Sequence, residues 1–399
     1  MTDTATRTAE PEGLGIPWRS PVLVAVLAAS LLTPMDVPLI SPVLPEIAGV
    51  FGVSEATAGL FVTLYALPGI LLAPAIGALA DHVGRRTVLA GCLTVFGVAG
   101  TAIAFTSEWR VALGLRLVQG IAAGSMLSAL AMTVVGDRYS GRQHDSVMGV
   151  ASATLSFGTA AYPLLGGYLA ARAWNTPFLM YALALPVAGV VLFALDDDPA
   201  AEASERGYLR EALHAVPTRR ALGLYGVMFV SFGLVFGGLY TALPFYLSAA
   251  FGMTPGTVGL LTSAVLLVTA VVATQNGRFA GAVSTRALLS GGFALYAVGF
   301  VAVGLAESRW LLVGGLLLFG VGSGFITPTL FTRISALAPD HLRGGVMSLQ
   351  TTTIGISQAV GPLVFTLVAG SVGYQNVFLG ASGVAACGTA LLAGVGIDG

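Results

Sequence analysis

Apolar runs of about twenty residues, the length that carries a helix across a hydrocarbon core, recur along this whole chain. They fall near 22–44, 58–80, 88–106, 111–135, 146–170, 177–195, 221–247, 257–277, 287–306, 311–332, 345–370 and 376–397. Only 9% of the 399 residues are charged and 56% are hydrophobic, whereas about a quarter of a soluble domain is charged. Such a chain has no polar surface to offer water. The expectation is a multi-pass protein of the cell membrane, inner or plasma, with the lipid bilayer as its solvent. Twelve spans leave both termini on one side. The N-terminal tail and the even-numbered connections hold fourteen arginines, against Arg110, Arg172 and Arg309 on the other side. The positive-inside rule therefore puts both termini in the cytoplasm.

Several functions are disfavoured by what the sequence contains. Net charge is -1, so no basic field invites nucleic acid. Cys92 and Cys387 are far apart, and the four histidines lie in or beside polar connections without ligand partners at metal spacing. No nucleophile elbow, Walker loop or dinucleotide fingerprint is present. The chain is not expected to be an enzyme, and no metal or cofactor is expected.

The polar stretch DDDPAAEASERGYLREALHAVPTRR (196–220) separates two sets of six spans. Four segments follow: a cytoplasmic tail (1–20), an N-terminal six-helix half (21–195), a cytoplasmic linker (196–220) and a C-terminal six-helix half (221–399). Within the linker, YLREALHAV has the pattern of a short amphipathic helix at the membrane surface. The halves repeat at an offset near 200. FGVSEATAGL (51–60) matches FGMTPGTVGL (251–260), Gly77 matches Gly277, Arg86 matches Arg286, Gly124 matches Gly324 and Phe178 matches Phe378. Pro45 and Pro244, and Trp109 and Trp310, lie one residue off that register. Duplicated halves of this size are a transporter pattern, in which rigid halves rock about a site near the midplane.

The run LLTPMDVPLISPVLPEI (31–47) breaks two rules of a membrane helix. Asp36 costs roughly 3 kcal/mol near the bilayer centre. Pro34, Pro38 and Pro42 recur every four residues on one side and remove backbone donors. The expected result is a bent span whose freed carbonyls face protein or a water-filled cavity. Asp36 is the one carboxylate placed well inside a span, since Glu46, Glu55, Glu108, Asp137, Asp145, Glu307 and Asp340 fall at helix ends or in connections. Arg116 is the one basic residue placed within a span, and it should face the bundle interior with a partner.

Three further segments carry a resemblance. GALADHVGRR (77–86) holds Gly77, Asp81, Gly84, Arg85 and Arg86; RLVQG holds Arg116, Gln119 and Gly120; GVASATLSFGTAAYPLLGG holds Gly149, Gly158, Pro163, Gly166 and Gly167, with Tyr162 where a glycine is expected. They resemble motifs A, B and C of the major facilitator superfamily, and Asp36 to Pro45 is similar to the helix 1 motif of its drug:proton antiporters. The resemblance implies an all-α membrane fold of 12 transmembrane helices in two pseudo-symmetric six-helix halves. It also implies a cytoplasmic latch at Asp81 and its arginines that closes in the outward-open state, and a role for Arg116 in proton coupling. Motif C implies export. The second-half counterpart of motif A, GRFAGAVSTR (277–286), has Gly281 and Ser284 in place of the acid and the second glycine, so that latch is degenerate.

A carboxylate whose surroundings alternate can load and release a proton. Asp36, opposed or tuned by Arg116, is the expected protonation site, and a cationic or polar substrate would compete with its proton. In span 7, Tyr225, Phe229, Phe232, Phe236 and Tyr240 share one helical face. That face is either an aromatic wall of the substrate cavity or a lipid or packing surface. Other polar candidates for the cavity are Gln275, Asn276, Thr327, Gln350, Thr351 and Gln358. The expected function is a proton-coupled antiporter, monomeric and driven by the proton gradient, that exports small lipophilic or cationic compounds. A carrier of a specific metabolite such as a sugar or amino acid, or a membrane sensor of the same fold, are the alternatives.

Overall fold

A computed structural model describes residues 16–123, 134–136, 138–195, 218–337 and 343–394. Most of the polar tail, the linker segment with YLREALHAV, Gly124, Asp137 and Asp340 lie outside the described residues. Helices stand at all twelve expected positions, and the described residues contain no strand. Among the described residues, eight helices are each long and apolar enough to cross a bilayer, and the bent pair Pro21–Met35 and Val37–Phe51, taken as one span, makes a ninth. Spans 4 (Trp109–Ala123), 5 (Gly141–Ala170) and 12 (Tyr374–Gly394) occupy the other three positions. Spans 2 and 3 are Glu55–Val83 and Arg85–Ala102, and span 6 begins in a 3-10 segment, Thr176–Leu183, that continues as Ala184–Ala194. Spans 8 to 11 are Pro255–Ala282, Thr285–Gly304, Arg309–Ser335 and Arg343–Val372.

Span 1 follows its prolines. Pro21–Leu32 gives way to the 3-10 turn Thr33–Met35, the short helix Val37–Ile40, a second 3-10 turn Ser41–Val43 and the helix Leu44–Phe51. The two halves of the span meet at 47° beside Asp36. Its counterpart, span 7, is irregular in another way. Between Thr218–Gly233 and Leu243–Phe251 it winds as a π-helix over Leu234–Ala242, with the Thr241 hydroxyl donating to the Phe236 carbonyl five residues back.

The internal repeat is visible in the local geometry. The helix before each repeated segment ends on a left-handed glycine, Gly52 at φ +62° and Gly252 at φ +59°. A hydroxyl two residues later, Ser54 or Thr254, then accepts from the backbone of Thr57 or Thr257 to start the next helix. Only glycine takes that φ at little cost, and a Ser or Thr N-cap satisfies a donor the helix would leave open. The same two short signals thus build the same turn twice.

One apolar core gathers spans 1 to 6 with Tyr240 and Phe245 of span 7, and a second gathers spans 7 to 12. The halves meet mainly where span 5 packs on span 8 and span 2 on span 11. Spans 5 and 8 cross at backbone distance. A Cβ on Gly167 would strike the Pro255 carbonyl, and one on Gly259 would strike the Pro163 carbonyl. The Leu164 amide, next to the helix proline Pro163, donates to Ser263 at 2.9 Å. Lipid gives no hydrophobic reason for helices to associate, so small residues and hydrogen bonds of this kind hold them. Between spans 2 and 11, Gly59 lies against Thr366, Thr63 donates to the Ala359 carbonyl at 2.9 Å, and Ile70 lies against Gly355. These contacts begin at the end of the bundle remote from the chain termini and run inward to its middle.

Candidate functional site

The site forms where span 1 breaks. Prolines 34, 38 and 42 bring no N–H, and side chains from other spans take the exposed carbonyls. Tyr162 of span 5 donates to the Leu31 carbonyl at 2.8 Å, Tyr181 of span 6 to the Met35 carbonyl at 2.7 Å, and Arg116 Nη2 to the Asp36 carbonyl at 2.8 Å. The bend and the protein-facing carbonyls are as the proline spacing requires. Tyr162, the departure from the glycine of motif C, supplies one of the three donors.

Arg116 is completely buried and serves as the hub. Its Nε donates to the Phe61 carbonyl at 3.1 Å, and Nη1 donates to Gln119 Oε1 at 2.7 Å and to Tyr181 Oη at 3.3 Å. Its guanidinium also lies over the Tyr65 ring, 4.3 Å from the centroid, a cation–π contact. Spans 1, 2, 4 and 6 therefore converge on one charge. The structure separates what the sequence pairs loosely: Arg116 bonds the backbone carbonyl of Asp36, and the Asp36 carboxylate bonds span 11. Asp36 Oδ2 accepts from Gln358 Nε2 of that span at 3.1 Å. The two expected coupling residues are adjacent, and the carboxylate bonds the opposite half of the molecule.

The remaining motif residues divide by contact. Gly120 of motif B abuts the Tyr65 carbonyl, Gly158 meets Pro34, and Gly166 meets the Leu39 carbonyl. The motif C glycines at 158 and 166 thus let span 5 lie against the broken span 1, while Gly167 serves the contact with span 8. Gly149 has open space where a side chain would go. In motif A, Gly84 adopts φ +103° between spans 2 and 3. Gly77 and Asp81 lie on the last turns of span 2, and the contacts of Asp81 lie outside the described positions. Arg85 and Arg86 open span 3. In the second half, Ser284 caps span 9 by accepting from the Ala287 amide, so a serine N-cap replaces the positive-φ glycine.

Of the aromatic face on span 7, Phe232, Phe236 and Tyr240 form a continuous ladder, with ring centroids 6.2 and 5.8 Å apart, that Phe331 of span 10 extends. Tyr225 instead ties span 7 to the Val346 carbonyl of span 11, and Phe229 is partly exposed. Among the other polar candidates, Asn276 pairs with Thr329, Gln275 accepts from Arg278, and Thr351 donates within its own helix. Gln350 is buried and Thr327 half-buried. The second half places Leu316 and Phe319, 200 positions after Arg116 and Gln119, in the lining of a small apolar cavity with Leu239, Phe300 and Phe378. Sequence reasoning missed Tyr65 and Tyr181. The one available signal was that a tyrosine in an apolar span needs a partner for its hydroxyl.

Two duplicated helical halves around a buried charged site at mid-span have the architecture of a membrane transporter. The family model of the Major Facilitator Superfamily matches residues 26–249 and 224–396, and the chain belongs to that superfamily. It is 26% identical over 358 residues to the tetracycline resistance protein, class B, of Escherichia coli, covering 86% of this chain and 87% of that one. It is 24% identical over 387 residues to the multi-drug resistance efflux pump PmrA of Streptococcus pneumoniae, covering 92% and 94%. Among solved structures it resembles the human organic anion transporter MFSD10 (TM-score 0.67, 22% identity, covering 95% of this chain and all of that one). It also resembles an inward-facing bacterial homolog of the human lysosomal transporter Spinster (TM-score 0.77, 17% identity, covering 95% and 97%).

Proposed function

We propose that this chain is a proton-coupled antiporter that exports small lipophilic or cationic compounds by alternating access, with Asp36 as the protonation site. The observation that carries this reading is the placement of the Asp36 carboxylate. It sits at the break of a membrane span, half-buried, and it bonds an uncharged amide of the opposite half. Arg116 bonds the backbone carbonyl of Asp36 and spends its other donors on a carbonyl, a hydroxyl and an amide oxygen, so it acts on the carboxylate by its charge and does not pair with it directly. Nearby, the Phe232–Phe236–Tyr240 ladder offers flat apolar surface to the body of a lipophilic cation. The relatives named for tetracycline resistance and multidrug efflux support the same class. With both termini in the cytoplasm, the end of the bundle where Gly59 meets Thr366 is the outer one, and this conformer is closed outside.

The test uses inverted membrane vesicles energised to an acid interior and loaded with a pH probe. Adding a transported lipophilic cation should release protons from vesicles that carry the natural chain. Asp36→Asn, expressed at equal level, should abolish that release. Undiminished proton-driven transport by Asp36→Asn would overturn the assignment.

A further inference from the structure

We propose that the Gln358 amide is a latch that holds the empty, ionised transporter closed at the end remote from its termini, and that a proton or a substrate cation on Asp36 releases it. The proposal rests on the reading of Asp36 given above and adds the element that makes switching conditional on loading.

The bond from Gln358 Nε2 to Asp36 Oδ2, at 3.1 Å, joins span 11 of one half to the broken span 1 of the other. Its amide end is held firmly. The neighbouring Ser357 hydroxyl donates to the Phe229 carbonyl of span 7 at 3.1 Å, and the Ala359 carbonyl accepts from Thr63 of span 2 at 2.9 Å. One turn earlier, Gly355 lies against Ile70. Gln358 therefore sits where span 11 touches both halves, and a change at its side chain reaches the contact between them.

The chemistry of the bond makes it sensitive to load. A carboxylate accepting an N–H forms a bond roughly twice as strong as a neutral pair does. A proton on Oδ2 turns that acceptor into a donor facing the Nε2 hydrogens, so the amide must let go or rotate into a neutral bond of about half the strength. A substrate cation takes the same lone pairs and displaces the amide directly. Other groups facing Asp36 do not substitute for it. Arg116 of span 4 is engaged on the backbone carbonyl of Asp36, and Tyr181 of span 6 lies on the same side. Tyr65 of span 2 and Tyr240 of span 7 also sense its charge, but they are uncharged phenols. The empty, ionised carrier is thus the latched form, and both loaded forms are free to switch. That hinders the slip in which the carrier delivers a proton and then reopens the far end empty.

The test uses the full chain in proteoliposomes, with spin labels at the exposed positions Val50 and Val372 on opposite halves. In the natural protein the label distance should stay short at high pH, and a long-distance population should appear as pH falls or when tetraphenylphosphonium is added. Gln358→Met, similar in size but without the amide, should show the long distance at every pH. It should also leak protons at least tenfold faster without substrate and bind tetraphenylphosphonium more tightly. Gln358→Glu should open the far end at high pH, where two carboxylates face each other, which is the reverse of the natural response. A natural pH response and intact coupling in both variants would overturn the latch. Loss of the response in Asp36→Asn, with natural behaviour of both Gln358 variants, rejects the latch alone. A natural response in Asp36→Asn rejects the Asp36 reading itself.

Discussion

Arg116 carries its charge at zero solvent exposure, and geometry explains why an arginine and no other cation fits. Its acceptors are the Phe61 carbonyl, Gln119, Tyr181 and the Asp36 carbonyl, spread over spans 2, 4, 6 and 1. A planar fork with five donors reaches all of them, whereas a lysine offers three donors from one point. Arg116→Lys should therefore leave at least one buried acceptor open, at about 1–3 kcal/mol each. A lower thermal midpoint in detergent and loss of transport are expected. An unchanged midpoint with full transport would remove Arg116 from the hub. Tyr162 makes the complementary point, because a residue that breaks a motif supplies the donor that the Leu31 carbonyl needs.

At the scale of the element, the glycines of span 5 separate into two groups that the motif alone does not distinguish. A methyl at Gly149 would enter open space, while one at Gly166 would meet the Leu39 carbonyl of span 1. Gly149→Ala should be neutral or stabilising by up to about 1 kcal/mol from helix propensity. Gly166→Ala should force spans 1 and 5 apart and cost transport, as a side-by-side uptake assay in inverted vesicles would read. Equal activity in both variants would contradict the packing described here. The spans themselves were legible because apolar length is a strong signal, and the break of span 1 was legible because prolines announce lost donors. The π-helix of span 7 was not, since no proline or polar cluster marks Leu234–Ala242 and tertiary contact decides it. Nor was the bond between Asp36 and Gln358, whose partners lie 322 residues apart with no local pattern connecting them.

The whole molecule is duplicated in plan and unequal in chemistry. Where the first half has Arg116 and Gln119, the second has Leu316 and Phe319 beside an apolar cavity. Charge handling thus belongs to one half, and the other contributes the amide of Gln358. Rocking requires the outer contacts to open, and one pair reports it directly. A Cβ at Gly59 would stand 3.7 Å from that of Thr366, within the disulfide range of about 3.5–4.5 Å. In a background with Cys92 and Cys387 replaced, Gly59→Cys with Thr366→Cys should cross-link on oxidation and stop transport, and reductant should restore it. Undiminished transport in the oxidised, cross-linked form would rule out opening at this end. The neutral acceptors around Arg116 have one more consequence, and it concerns voltage. The arginine's surroundings are equally satisfied whether Asp36 holds a proton, a cation or neither, so the exchanged charge is set at a single carboxylate. Trading one proton for one monovalent cation then moves no net charge across the membrane, whereas trading it for a divalent cation moves one. A diffusion potential in proteoliposomes, worth about 2.3 kcal/mol per charge for each 100 mV, should leave the first exchange unchanged and drive the second.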